Sequence, residues 1–146
     1  MAMPLWRLYY HIVWATKQRE PLLEGDRERS LLELIEAKAV ELGATVHALK
    51  CVPDHVHVVV SIPPRIAIAE FVRQIKGVSS ALYNKAHRNG TLLYWQEQYS
   101  VFSFDGKSLG AHVRYVLDQK EHHRQGTTVR ALERLPETAL DVDQAI

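Results

Sequence analysis

Apolar and polar positions alternate from Leu8 to Trp14, with Leu8, Tyr10, Ile12 and Trp14 on one side and Tyr9, His11 and Val13 on the other. That period of two predicts a first strand. The period then changes. After Asp26, a plausible cap, Leu31, Leu34, Ile35, Lys38 and Leu42 recur at helical spacing until Gly43 supplies a stop, which predicts a first long helix. The runs "TVHALKCV" and "HVHVVVSI" flank Pro53-Asp54, a turn pair that presets one backbone angle and accepts a local hydrogen bond, so they are expected to form a hairpin closed by Pro63-Pro64. Helical spacing of Ile68, Phe71, Val72, Ile75, Val78 and Leu82 predicts a second long helix from Ile66 to about Lys85. "YSVFSF", Tyr99 to Phe104, reads as a fourth strand, and "KSLGAHVRYVLDQKEHHRQ" as a single final helix.

Strand, helix, strand, strand, helix, strand is the order of an α+β, ferredoxin-like or RRM-like split β-α-β antiparallel sheet, here with an additional C-terminal helix. A length of 146 residues, 47% hydrophobic, suits one core. Residues 1–124 are expected to form that single domain. Residues 125–146 are weakly patterned and carry Pro136, so no packed element is assigned to this tail. The formal charge of +1 means that nucleic-acid binding would require basic groups clustered on one face. A single cysteine, Cys51, excludes an internal disulfide and a cysteine-based zinc site, and fits a reducing cytoplasm. Arg7 and His11 interrupt the N-terminal apolar stretch, which does not resemble a signal peptide, and no segment has the roughly 18 apolar residues of a membrane span. A cytoplasmic protein is expected.

The stretch "CVPDHVHVVVSI" places two imidazoles in an otherwise apolar strand. His55, His57 and Val59 share one face, and Val56, Val58 and Val60 the other, so valines facing the two long helices turn the histidines away from them. The histidines lie two residues' rise apart, roughly 6 to 7 Å, close enough to converge on a metal ion. Two hydrogen-bonded strand histidines are the plainer alternative. On the final helix Leu109, Val113, Val116 and Leu117 form an apolar stripe, leaving His112, Tyr115, Gln119, His122 and His123 on roughly the opposite side. Tyr115 and Gln119 are one turn apart and able to meet one partner, or they are a surface or dimer-contact tyrosine and a solvated amide.

Two imidazoles and an amide oxygen can hold a divalent cation with positions open to phosphate oxygens, and a tyrosine beside it can attack phosphorus. Arg65, Arg73, Lys76, Lys85 and Arg88 make the second long helix and its ends locally basic, and Arg114 precedes Tyr115, so these are candidate phosphate contacts or simply a solvated face. Trp6, Trp14, Tyr83 and Trp95 are candidates for base stacking or, more plainly, for core and interface.

"HIVWATKQREPLL", "CVPDHVHVVVSI", "IKGVSSALYNK", "YSVFSF" and "VRYVLDQKEHH" occur in the order found in a known family. Through them the chain, nearly whole to about Arg124, resembles the single-tyrosine HUH transposases of small insertion sequences, the IS200-like group, and the related REP-associated tyrosine transposases. The resemblance implies metal ligation by His55, His57 and Gln119, with Mg2+ or Mn2+. It implies Tyr115 as nucleophile, and cleavage and rejoining of hairpin-flanked single-stranded DNA through a 5′-phosphotyrosine. It also implies a homodimer whose sites the tyrosine helix can complete in trans, with "FDGKSLG" as a hinge. The family often has glycine after the tyrosine of the last strand, where this chain has Ser100, and the tail beyond Arg124 shows no recognisable family motif. A catalytically inactive RRM-like nucleic-acid-binding module and a water-using metal phosphodiesterase are the competing readings. The first would carry paired aromatics on its central strands and the second two separated histidine motifs, and the chain has neither.

Overall fold

The computed structural model describes residues 4–133 and 135. Four strands, β1 (Tyr9–Ala15), β2 (Thr45–Val52), β3 (His55–Ser61) and β4 (Ser100–Phe104), form one antiparallel sheet in the order β2-β3-β1-β4. The helices are α1 (Asp26–Glu41), α2 (Ile68–Ala86), α3 (Leu109–Leu117), α4 (Gln119–Gln125) and the single turn α5 (Arg130–Glu133). This is the split β-α-β arrangement that the element order predicts, with helices on both faces of the sheet.

Alternation sorts the two central strands. Ile12 and Trp14 of β1 and Val56, Val58 and Val60 of β3 pack with Leu31, Ile35 and Ala39 of α1 and Phe71, Val72 and Ile75 of α2 into the main core. Each of these large side chains contributes about 1.5–3 kcal/mol by leaving water. The other face carries His11, Val13 and Ala15 from β1 and His55, His57 and Val59 from β3. Register fixes their neighbours, with His11 opposite Val59, Val13 opposite His57 and Ala15 opposite His55. Here Val59 and Ala48 pack against Val116 of α3. Every residue of β3 except Ser61 is buried, because helices cover both faces.

Helix α2 begins at Ile68, two residues later than expected, and two other helices depart from the sequence expectation. Gly25, at φ +60°, takes the N-cap position of α1 and Asp26 becomes its first helical residue, where its charge favours the N-terminus without a capping hydrogen bond. The predicted final helix breaks at Asp118, whose φ of −95° and ψ of 16° open the turn between α3 and α4. Aspartate is a poor interior residue because its short polar side chain competes with helical bonding. Hydrogen bonds from Asp118 N–H to Arg114 O and from His122 N–H to Asp118 O, each 3.0 Å, carry the chain across the break as a kink.

The predicted apolar stripe is kept in part, with Leu109, Val113 and Val116 packed on the sheet. Leu117, expected in the apolar stripe, is 52% exposed, whereas Tyr115 and Gln119, expected on the polar side, are buried against the histidine face of the sheet. Past α4, Gly126 adopts φ +70°, the left-handed conformation that glycine takes without a steric penalty, and the chain turns back. Residues 127–133 return over Tyr115, and Leu135 packs with Val13 and Ala15. Among the described residues no helix is long and apolar enough to cross a membrane.

Candidate functional site

His55 and His57 project from the centre of the sheet toward the returning tail, and both are buried. Their Nε2 atoms each lie 3.0 Å from one oxygen of Glu133, Oε2. The second oxygen, Oε1, accepts from the Tyr115 hydroxyl at 2.7 Å and from Nε2 of Gln119 at 2.6 Å, and it pairs with His123 Nε2 at 3.3 Å. One carboxylate thus gathers the two strand histidines, the helix tyrosine, the amide one turn beyond it and a third histidine.

The surrounding bonds decide charge. Burial opposes ionisation of Glu133, but the donors on it, His55, His57 and Tyr115, outweigh burial and hold its carboxyl well below the usual range. Burial also lowers His55, yet Asp54, whose Oδ1 lies 2.6 Å from His55 Nδ1, and Glu133 more than compensate and raise it. For His57 burial wins, and its pKa falls. Asp54 and Glu133 thus favour the charged form of His55, and burial favours the neutral form of His57. Burial, reinforced by the bond to Glu133, pushes the Tyr115 phenol well above its ordinary value. The same Pro53-Asp54 turn that makes the hairpin thus supplies the carboxylate that orients His55, as a partner behind a ligand does.

A divalent ion suits these residues. Ligand atoms from His55, His57, His123 and Glu133 lie within 4.8 Å of one another, and the side-chain oxygen of Gln119, in a fully buried residue, has no hydrogen-bond partner. A buried acceptor without a donor is costly, and a cation would satisfy it. Imidazole nitrogens with carboxylate or amide oxygens are donors that manganese or zinc takes readily and magnesium takes with help from further oxygens.

Tyr115, His55, His57 and Gln119 are therefore brought together as the sequence suggests. The ring centroids of Tyr115 and His57 are 6.1 Å apart within one chain, so this site needs no helix from a second copy to bring phenol and histidines together. Two members escape the sequence reading. His123 is visible on the polar side of the final helix, but the kink that aims it is not, and Glu133 sits in a segment with no periodic signal.

The basic candidates do not converge with this cluster. Arg73, Lys76 and Lys85 lie on α2 and Arg65 and Arg88 just beyond its ends, in the layer on the opposite face of the sheet. Arg65 donates to Leu42 O at the end of α1, and Arg73 pairs with Glu70. Lys85 and Arg88 are exposed. The Lys76 ammonium donates to the carbonyls of Gln96, Glu97 and Gln98 at 2.8, 3.2 and 2.9 Å, and burial pulls its pKa down to about 8. Lys76 thus pins the approach to β4, and all three of its donors are spent within the chain. Only Arg114, exposed on α3 beside Tyr115, lies close to the cluster in sequence. Trp14 and Tyr83, considered for base stacking, are core residues.

Comparison with known proteins follows the same lines. Residues 4–119 match the family described as Transposase IS200 like. The chain is 34% identical over 76 residues to the ISDra2 transposase TnpA of Deinococcus radiodurans, a match covering 52% of this chain and 54% of that protein, so it spans about half of that relative's length. It is 27% identical over 133 residues to the transposase for insertion sequence element IS200 of Salmonella typhimurium, covering 86% of each. Among solved structures, a candidate transposase from Deinococcus radiodurans is similar with a TM-score of 0.65 and 25% identity, covering 82% of this chain and 95% of that one. A REP-associated tyrosine transposase bound to a REP hairpin shares the fold, with a TM-score of 0.61, 18% identity, and coverage of 83% of this chain and 74% of that one. With more than half of its length matched by that family, and with its sheet and helices in the same arrangement, the chain belongs to the IS200-like transposases.

Proposed function

We propose that this transposase cuts and rejoins hairpin-flanked single-stranded DNA, with Tyr115 as nucleophile and a divalent ion, Mg2+ or Mn2+, held by His55, His57 and Gln119. The observation that carries the reading is the convergence on Glu133 of both histidine Nε2 atoms and the Tyr115 hydroxyl. When bound, the ion supplies a Lewis acid that polarises the scissile phosphate.

The chain's own groups do the rest. The Tyr115 oxygen forms a bond to phosphorus as the bond from phosphorus to the 3′-oxygen breaks, and the phenol proton accounts for the new 3′-hydroxyl. The product is a 5′-phosphotyrosine, and attack by another strand's 3′-hydroxyl reverses the step. Burial and Glu133 both retain the proton on Tyr115, and the Val129 N–H donates to its oxygen at 2.9 Å. The phenol is therefore engaged as donor and as acceptor. DNA entry has to loosen residues 127–133 so that a phosphate can meet the oxygen. In this reading Glu133 stands where the scissile phosphate would sit, one oxygen facing the imidazoles and the other the nucleophile. Arg114, next to Tyr115 in sequence, is a candidate for a backbone contact, and the exposed Lys85 and Arg88 at the end of α2 are candidates for DNA running behind the sheet. Assembly as a homodimer and residence in the cytoplasm belong to the same proposal, as does a boundary near residue 124 between the catalytic domain and a tail that reaches into its site.

Purified protein mixed with hairpin-bearing single-stranded DNA and Mn2+ should yield a protein–DNA adduct that survives denaturant, and chelator should abolish it. A free 5′-phosphate without adduct would instead favour hydrolysis by water, and hairpin binding indifferent to chelator would favour a binding module. The Glu133→Gln protein, with weaker hold on phenol and imidazoles, should form adduct severalfold faster. A fall in Mn2+ affinity together with slower adduct formation would make Glu133 an ion ligand instead.

A further inference from the structure

The two ring nitrogens of His57 serve different partners. Nε2 faces Glu133, whereas Nδ1 lies 2.8 Å from Nε2 of His11, and the other nitrogen of His11, Nδ1, lies 3.0 Å from Nδ1 of His112. His11 is wholly buried on β1, the strand beside β3. His112 is on α3, three residues before Tyr115, and its ring stacks on Phe104 with centroids 3.8 Å apart and planes at 9°. The cleavage chemistry above uses neither His11 nor His112. An imidazole buried in a sheet core with both nitrogens bonded to other imidazoles is a costly way to fill space, because each unmatched polar atom there would be penalised.

An N–H···N bond needs one donor and one acceptor. A ligand nitrogen gives its lone pair to the ion, so a neutral His57 coordinating through Nε2 carries its proton on Nδ1. That proton is donated to His11 Nε2. His11 must then carry its own proton on Nδ1 and donate it to His112 Nδ1, which places the His112 proton on Nε2. With the ion on His57 Nε2, only this arrangement of three protons satisfies the chain; with His57 Nε2 donating to Glu133 instead, the protons sit on the opposite nitrogens.

We propose that His11 is a positioning residue for His57, fixing its tautomer and ring plane for ion binding, and that through His112 it ties this ligand to the helix carrying Tyr115. The proposal rests on the reading of His57 as a metal ligand. Partners of this kind behind a metal-bound histidine commonly contribute tenfold to a hundredfold in affinity.

The test uses the full chain labelled with 15N at histidine, with Zn2+ alone as a diamagnetic probe, read by long-range proton–nitrogen correlation. The loaded protein should show Nδ1–H on His57, Nδ1–H on His11 and Nε2–H on His112. Calorimetry should show Zn2+ affinity reduced by about 10- to 100-fold in His11→Phe. His11→Gln, whose amide still reaches His57 as donor or acceptor, should recover most of the loss. His112→Phe, at a half-buried position that disturbs the core less, should keep the fold and leave the loaded His11 protonated on Nδ1 but without an acceptor, read as faster solvent exchange of that proton. Unchanged affinity in His11→Phe, equal losses in the Phe and Gln variants, or a loaded His11 with its proton on Nε2 would each overturn the positioning role while leaving the ion site standing. No Zn2+ response at His55 or His57 in the parent protein would overturn both.

Discussion

Tyr115→Phe protein incubated with hairpin-bearing single-stranded DNA and Mn2+ should give no covalent product, a loss of at least about a thousandfold, because the oxygen proposed as nucleophile is gone. The substitution is gentle elsewhere. The ring stays stacked on His122, with centroids 4.6 Å apart, and it loses only the hydroxyl's bonds to Glu133 and from the Val129 N–H. Those losses should cost about 1–3 kcal/mol, seen as a modest fall in Tm. Hairpin binding measured by anisotropy should persist. A Tyr115→Phe protein that still forms adduct at the parent rate would place the nucleophile on another residue and remove the functional meaning of the convergence at Glu133.

His57→Ala has the second-largest expected effect, and it acts at two levels. The imidazole is fully buried, bonded on one side to Glu133 and on the other to His11, so its removal opens a cavity lined by polar atoms. Stability should fall by about 1–3 kcal/mol for the unmatched partners, with the main core on the opposite face unaffected. Ion binding should fall much further, since one of the two proposed imidazole ligands is gone, and adduct formation should become undetectable at Mn2+ concentrations that saturate the parent. Circular dichroism and Tm separate the two levels. A folded His57→Ala protein with parent-like Mn2+ affinity would show that the ion sits elsewhere.

Much of this was readable from residue order because the sheet is governed by alternation. The valines of β3 declared which side faced α1 and α2, and the histidines followed by parity. Tyr115 and Gln119 were recognisable as a pair one turn apart. Their burial was not, because Tyr115 is covered by tail residues that return after Gly126, and Gln119 opens α4 just past the break at Asp118, which no apolar period encodes. Glu133 was illegible for a different reason. Its position depends on Gly126 reversing the chain and on Leu135 packing against Val13 and Ala15, contacts between segments far apart in sequence. Lys76 was misleading for the same kind of reason. Its positive charge suggested a phosphate contact, while its three carbonyl acceptors come from the loop ahead of β4.

The pairing of β1 with β3 has a further implication for the cell. Because side chains alternate, sliding one strand past the other by a single position would drive both imidazoles of β3 into the greasy interior and expel its valines. A mis-paired molecule would thus be unstable and would lack the histidine face on which the proposed chemistry rests. The strand pairing that makes the protein durable is also what would assemble the proposed site.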